Sequence, residues 1–274
     1  MRAWKFCLRL SLVIWLGIVA EQHAAKAGGA ATSPLPEAIE ADVSARNVSV
    51  QADFTGTEIV VFGTVENSRQ PSAEAGTYDI IIVVEGTSIP HVVRRKSNLG
   101  GLWMNTASVR FASLPSYYAI ASTRPIQDIA EPPILTQNQI GFEHVRMVKS
   151  GSGRTQITDA EDLAEFRDAV VRLKKRDGLY IQSDYAVAFV GRSLFRTTIK
   201  VPPNVPIGVL NAKVYLFREG MLLGEYKSEV TLARAGIERF LYDVAYRHGL
   251  LYSLGVVFFA VAAGLASAFA FRRE

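Results

Sequence analysis

The body of the chain carries short apolar runs with the alternation of β-strands. Residues 48–52 alternate apolar and polar side chains, and residues 58–63 follow a turn signal at Phe54-Thr-Gly56. The run at 78–84 (YDIIIVV) is continuously apolar and β-branched, which predicts a strand crossing the centre of a sheet. Further short strands are predicted at 91–96, 101–105, 109–112 and 117–123. Strands at this spacing predict an Ig-like β-sandwich domain over 39–124.

A second set of elements follows a connecting segment at 125–157, in which residues 140–148 predict a short helix. Thr158 and Glu161 have the spacing of a capping box and predict the start of a longer helix. Strands are then predicted at 185–189, 195–201, 213–217 and 225–232. The helix and these strands predict a second sandwich-like domain over 158–235. The fold is therefore expected to be mainly β, with two Ig-like sandwich-type domains and an inserted helix.

The longest apolar run lies at 249–271 and contains no charged residue. Twenty-three residues at about 1.5 Å each cover the hydrocarbon core of a bilayer, so this run predicts a transmembrane helix. An amphipathic helix is expected just before it, at 237–248. Within the run, Ala260, Gly264 and Ala268 repeat a small residue at every fourth position, which would let another helix approach closely. Because Ala-rich spans contain such triplets by chance, helix association and coincidence both remain open.

The N-terminus predicts a secretory signal peptide over 1–27, followed by a tether at 28–38. Basic residues precede an apolar run of eleven residues, and Ala25-Lys-Ala27 places small residues where a signal peptidase reads them. The body is then expected in the periplasm, anchored to a bacterial inner membrane by a single span. Only residues 272–274 would be cytoplasmic, as the positive-inside rule favours for Arg272 and Arg273. Such a short tail excludes a receptor that signals through its own inner domain.

Charge and cysteine content exclude several classes of function. The chain has 30 Lys and Arg and 26 Asp and Glu, but six of the basic and two of the acidic residues belong to residues 1–27 and 272–274. The remaining body carries 24 of each sign, so we expect no nucleic-acid partner. The single cysteine, Cys7, falls in the predicted signal peptide. The mature protein would then have neither a disulfide nor a Cys nucleophile.

The body shows no local pattern of catalysis. It lacks G-x-S-x-G, H-E-x-x-H and P-loop patterns. His144 and Met147 have i, i+3 spacing, but one His and one Met make an incomplete metal site. The acidic residues of the predicted helix are those of a solvated face. We therefore expect no enzyme, no cofactor and no metal, although a hydrolytic triad assembled from distant loops remains open.

One stretch combines cations with aromatic residues and is the candidate binding surface. Cations on a strand next to exposed rings could bind anions or form cation–π contacts. The alternative is an edge strand that charge protects against unwanted pairing. The candidate residues are Arg94, Arg95, Lys96, Trp103, Asn105, Arg110, Tyr117, Tyr118 and Arg124.

Several of these motifs together resemble one known family. They include Phe54-Thr-Gly56 with 59–63 (IVVFG), 93–96 (VRRK), 102–105 (LWMN), 115–119 (PSYYA), 122–125 (STRP), 194–196 (LFR), 203–206 (PNVP) and the terminal span. The set is similar to the family described as "putative transmembrane proteins" of alphaproteobacteria, from about residue 39 to the end. Gly208-Val-Leu210 departs from the Gly-Thr-Tyr that the family pattern has there. The family has no established activity or catalytic residues, so none are carried over.

The resemblance also implies a partner. Family members are often encoded beside sulfite-exporter-type permeases, so the leading hypothesis is a non-enzymatic accessory or assembly partner of an integral membrane protein, such as an anion permease. The alternative is an envelope-binding module that recognises polysaccharide, peptidoglycan or an exported protein through sandwich loops. The sequence does not determine the oligomeric state.

Overall fold

The computed structural model describes residues 35–51, 54–150, 160–234, 242 and 244–272. The predicted signal peptide, most of the tether, Thr158 of the capping box and residues 237–241 and 243 of the predicted helix at 237–248 lie outside these residues. Thirteen strands and four helices have both ends in the described part, and residues 242 and 244–247, within the helix predicted at 237–248, are also helical. The strands are β1 (Ala38–Val43), β2 (Asn47–Val50), β3 (Thr57–Glu66), β4 (Asp79–Gly86), β5 (Ser88–Leu99), β6 (Leu102–Pro115), β7 (Tyr118–Ser122), β8 (Val148–Lys149), β9 (Tyr180–Ser183), β10 (Ala188–Val190), β11 (Leu194–Val201), β12 (Gly208–Arg218) and β13 (Met221–Arg234). The helices are α1 (Ile126–Ile129), α2 (Pro132–Gln137), α3 (Ala160–Arg176) and α4 (Gly249–Phe271).

A four-stranded antiparallel sheet has the order β1-β3-β11-β10. Side chains along β3 and β11 alternate between buried and solvent-accessible, as expected for a sheet with one face against a core. Ile59, Val61 and Val65 supply the buried face of β3, and Phe195 and Ile199 supply that of β11. This sheet therefore forms one layer over the main core.

A six-stranded sheet has the order β2-β13-β12-β4-β7-β9. Its outer pairs, β13 with β2 and β7 with β9, are parallel, and the inner pairs are antiparallel. Strand β4 lies inside the sheet, and Ile80, Ile81 and Ile82 are fully buried. The prediction that this apolar run crosses the centre of a sheet is confirmed.

Both sheets contain strands from each of the two predicted domains. β3 pairs with β11 in one sheet, and β4 pairs with β12 in the other. The buried side chains of both sheets belong to one hydrophobic cluster, and residues 37–274 form one compact unit. This pairing corrects the expected division at 39–124 and 158–235, because local alternation shows which face of a strand is buried but not which strand lies beside it. The mainly β class is confirmed, and the Ig-like topology stays a prediction.

A third sheet, β5-β6-β8, packs against α3 and has its own small core. The three predicted strands at 91–96, 101–105 and 109–112 are parts of one long hairpin, β5–β6. Val93, Val109 and Phe111 of the hairpin pack with Phe166 and Val170 of α3. The predicted helix after 158 is thus confirmed over its described residues and covers this hairpin.

The predicted helix at 140–148 is wrong. Residues 141–144 form turns, and the segment ends in the two-residue strand β8. Gly141 has φ +107°, a conformation outside the helical region. Ile140, Phe142 and Val145 are buried in the main core, so this segment packs as an irregular strap.

The terminal helix α4 has the bounds that the sequence predicts, Gly249–Phe271. It is the one helix of the described residues that is long and apolar enough to cross a membrane. None of its residues is buried by the rest of the described chain. The protein is therefore a membrane protein with one candidate transmembrane helix near its C-terminus.

Gly63→Ala is expected to destabilise the body by about 1–3 kcal/mol through overpacking. A Cβ at Gly63 would lie 2.2 Å from the carbonyl oxygen of Glu40 and 2.6 Å from the Phe195 ring. Gly224→Ala is the matched control, because its Cβ would meet nothing closer than 3.4 Å. Guanidinium unfolding of the detergent-solubilised protein measures both variants. Equal stability of the two would contradict the close approach of β1, β3 and β11 at Gly63.

Candidate interaction surface on the β5–β6 hairpin

The hairpin begins at one defined end of the six-stranded sheet. β4 ends at Gly86, which pairs with Leu210, and β5 starts two residues later at Ser88. At the same end of the sheet, Gly208 of β12 pairs with Leu232 near the end of β13. The hairpin therefore starts at the same end of the sheet as the C-terminal end of β13, from which the chain continues to α4.

A register shift in the hairpin determines which side chains share a face. Arg95 pairs with Ala107, whereas Lys96 pairs with Asn105, so Thr106 is an extra residue on β6. Each residue normally points to the opposite face from its neighbour, and one extra residue reverses that alternation. The shift thus brings Asn105, and with it Trp103, onto the face that carries Lys96.

This outer face combines three cations with the tryptophan. Arg94 and Lys96 alternate on β5, and Arg110 lies on the same side of β6. All three are exposed, and none makes an ion pair within the described residues. The hairpin sequence 88–115 contains no Asp or Glu. We call Arg94, Lys96, Trp103, Asn105 and Arg110 the basic face.

Arg95 points to the opposite side and serves the structure. Its guanidinium donates hydrogen bonds to Asp162 (3.2 Å) and Glu165 (2.7 Å) of α3 and lies 5.7 Å from the centre of the Phe166 ring. The hydrogen bond to Asp162 and the charge of Glu165 raise the pKa of Arg95. Arg95 thus helps to hold α3 on the hairpin, and it does not belong to the basic face.

The tip of the hairpin exposes large apolar side chains. Leu99, Leu102, Trp103 and Met104 are 55%, 68%, 70% and 52% exposed, respectively. Gly100 and Gly101 form the turn with positive φ, as two-residue hairpin turns require. We call Leu99, Leu102, Trp103 and Met104 the apolar tip. The tip and the basic face meet at Trp103, which belongs to both.

Tyr117, Tyr118 and Arg124 are not part of this surface. Both tyrosines are buried, and burial raises the pKa of each. The Tyr117 hydroxyl donates to the carbonyl oxygen of Lys200 (2.7 Å), and the Tyr118 hydroxyl donates to that of Gln139 (2.8 Å). Arg124 pairs through two nitrogens with the buried Asp79, and that hydrogen bonding raises the pKa of Arg124. These three residues stabilise the fold.

The edge-strand alternative explains part of the basic face. β5 is the outermost strand of its sheet, so Arg94 and Lys96 lie where charge hinders unwanted pairing. β8 pairs with β6 only at Phe111 and Ser113, and the Arg110 carbonyl oxygen accepts a hydrogen bond from Ser150 N–H, so Arg110 lies at a paired part of β6. Trp103 lies where β6 has no β8 partner among the described residues, but its ring carries no charge. Edge protection by charge therefore does not account for these two residues.

A cleft that sequence reasoning missed lies between the strap and α3. It has a volume of about 640 Å³ and is lined by Phe142, His144, Asp168, Arg172 and Lys175, among others. The Lys175 ammonium lies 4.2 Å from the centre of the Phe142 ring, and His144 Nδ1 lies 3.1 Å from Thr136 Oγ1. Strand and helix periodicity carries no signal for this cleft, because its walls are far apart in sequence.

The His144–Met147 pair does not come together as a site. Met147 packs against both hydrophobic clusters, whereas His144 lines the cleft. Within the described residues, no group of three or more His, Cys, Asp or Glu side chains could hold a metal ion.

Ala260, Gly264 and Ala268 lie along α4, where all three are exposed.

Comparison with known proteins identifies one family. The family model described as "Putative transmembrane protein (Alph_Pro_TM)" matches residues 38–273. Among curated proteins, none matches this chain. The matched range includes both sheets, the hairpin and α4.

Arg124→Ala is expected to destabilise the protein by roughly 1–3 kcal/mol, because it leaves the buried Asp79 carboxylate without its charged partner. Arg94→Ala, the matched control on the basic face, is expected to change stability by less than about 0.5 kcal/mol. Guanidinium unfolding in detergent compares the two. A larger loss for Arg94→Ala would show that the basic face is structural.

Acidification from about pH 7.5 to about pH 5.5 is expected to destabilise the protein through His91. Burial, and then the charge of Lys174, lower the pKa of His91. The unfolded chain takes up a proton at an ordinary pKa of about 6.5, above that of the folded state. The neutral His91 imidazole therefore contributes fully to the stability of the folded state above about pH 6.5, and this contribution is lost as the pH falls below that value.

The measurement is thermal unfolding at the two pH values, with His91→Gln as the test variant. His91→Gln should lose less stability on acidification than the unmodified protein does. An equal loss in both would exclude His91 as the source.

Proposed function

Because the chain belongs to the Alph_Pro_TM family of transmembrane proteins, we propose that it is a non-enzymatic, membrane-anchored accessory or assembly partner of an integral membrane protein. In this proposal α4 anchors the protein in a bacterial inner membrane as a single-pass span. The β body stands in the periplasm, and the C-terminus is cytoplasmic. The observation that carries the proposal is the combination of a large folded body with an apolar helix, α4, that no other described residue buries.

The chemistry of α4 supports a role beyond anchoring. Residues four apart in a helix lie about 40° apart around its axis, so Ala260, Gly264 and Ala268 form one shallow stripe. Small side chains let a second helix approach closely, which favours association within a bilayer. We propose that this stripe contacts a transmembrane helix of the partner.

The basic face supports a role in which the protein binds small anions. Arg94, Lys96 and Arg110 are free to bind, because no ion pair within the described residues engages them. Guanidinium groups bind oxyanions through paired hydrogen bonds. A sulfite-exporter-type permease fits this chemistry, since it carries a small oxyanion across the membrane in which the protein is anchored. We propose such a permease as the partner.

The test is affinity purification from native membranes in mild detergent. We expect an integral membrane protein of the permease class to be recovered with the unmodified protein. The paired changes Gly264→Leu and Ala268→Leu should abolish recovery, because larger side chains keep the helices apart. Ala262→Leu and Ala266→Leu form the matched control on the opposite side of α4 and should retain the partner.

Recovery of the protein alone would contradict the proposal. Loss of the partner in both pairs of variants would exclude the small-residue stripe as the contact. An envelope-binding module would behave differently when α4 is deleted and the body is secreted. Such a module would keep its binding to polysaccharide or peptidoglycan, whereas an accessory subunit would lose its partner.

A further inference from the structure

We propose that the apolar tip of the β5–β6 hairpin enters the interfacial region of an anionic lipid bilayer while the adjoining cations bind the headgroups. The tip consists of Leu99, Leu102, Trp103 and Met104, and the cations are Arg94, Lys96 and Arg110. The contact would hold the body at a defined angle to the membrane in which α4 anchors it. It draws on the same three cations as the proposed accessory function, but it requires no protein partner, and vesicles that contain no permease test it independently of that function.

The exposure of the tip is the first observation. Its four large apolar side chains are each more than half exposed and lie within six consecutive residues of one turn. The register places Leu99, Leu102 and Met104 on one face of the hairpin and Trp103 on the other, so the turn is apolar on both faces. An exposed apolar cluster that polar residues border is typical of a membrane or protein contact. Neither α3 nor the other two sheets covers the tip, because the hydrophobic cluster of the hairpin ends at Val93 and Ala107.

The position of the hairpin in the fold is the second observation. It starts at the sheet end where β13 leads towards α4. Fourteen residues separate Arg234 from Gly249, and even a fully extended chain of that length spans no more than about 50 Å. A twelve-residue strand is about 40 Å long, so the hairpin is comparable in length to the connection. A hairpin from this end can therefore reach the bilayer.

The arrangement of charge is the third observation. The register shift at Thr106 brings Trp103 onto the face that bears Arg94 and Lys96. A tryptophan ring prefers the headgroup level of a bilayer, and neighbouring cations attract anionic lipid. The hairpin has no Asp or Glu that would repel such a surface, and the acidic residues that pair with Arg95 lie on its other face.

Trp103 itself provides the probe. The chain has three tryptophans, Trp4, Trp15 and Trp103, so Trp4→Phe and Trp15→Phe leave Trp103 as the sole one. This full-length protein is reconstituted into vesicles of phosphatidylcholine and phosphatidylglycerol, with bromine at shallow acyl-chain positions. We expect most of the Trp103 emission to be lost in the brominated vesicles, relative to the same protein in unbrominated vesicles of the same lipids.

The matched control moves the probe to the opposite end of the sheet. Met221 is 56% exposed and lies at the β12–β13 turn, beside Arg218. Trp103→Phe with Met221→Trp, in the same background, should keep its emission in brominated vesicles. Quenching of Trp103 no greater than that of the Met221→Trp probe would overturn the proposal.

Two further variants separate the parts of the contact. Leu99→Ser with Leu102→Ser alters only exposed side chains and should reduce quenching of Trp103, with circular dichroism confirming that the fold is retained. Replacing Arg94, Lys96 and Arg110 by Gln should reduce quenching in anionic vesicles and leave it unchanged in pure phosphatidylcholine. Equal quenching with and without the three cations in anionic vesicles would overturn their assigned role.

Discussion

The antiparallel ladder between β4 and β12 is the interaction on which the rest of the fold depends. It joins Asp79–Gly86 to Gly208–Arg218, two segments more than a hundred residues apart in the chain. β4 is buried along most of its length, so its backbone groups must be paired within the sheet. β7 and β13 continue the ladder on either side, and the four-stranded sheet covers one face of the same core.

The direction of the β4–β12 ladder also determines from which end of the sheet the β5–β6 hairpin and the chain to α4 start. β4 runs towards the sheet end from which the hairpin starts, and β13 runs towards the same end before the chain continues to α4. One arrangement of strands therefore determines where the hairpin and the membrane anchor leave the body. The accessory role and the lipid contact that we propose both follow from this shared end.

Buried carboxylates show how the core accommodates charge. Asp79 pairs with Arg124 and accepts a hydrogen bond from the Thr123 hydroxyl, and Glu37 pairs with Arg218 and accepts one from the Tyr78 hydroxyl. A buried carboxylate is costly without such partners. Arg124 is consequently needed by the fold, whereas Arg94, Lys96 and Arg110 remain in solvent and are available for binding. Arginine side chains of the same chemistry thus have different roles, because one pairs with a buried carboxylate and the others face solvent.

The sequence by itself determined the elements whose signal is local. A continuous apolar run identifies β4 and α4, and helical periodicity identifies α3. These signals are local because an element that is covered on one face or on all sides needs apolar side chains there, whichever apolar surface covers it. Only the tertiary structure decided which strands are neighbours, since alternation shows the buried face of a strand and not its partner. Alternation along β5 by itself places Arg95 opposite Arg94 and Lys96. The tertiary structure decided that the face with Arg95 meets α3, and it buried Tyr117 and Tyr118. The extra residue Thr106 reverses the alternation of β6, and this shift, which no periodicity reveals, brings Trp103 to the cations.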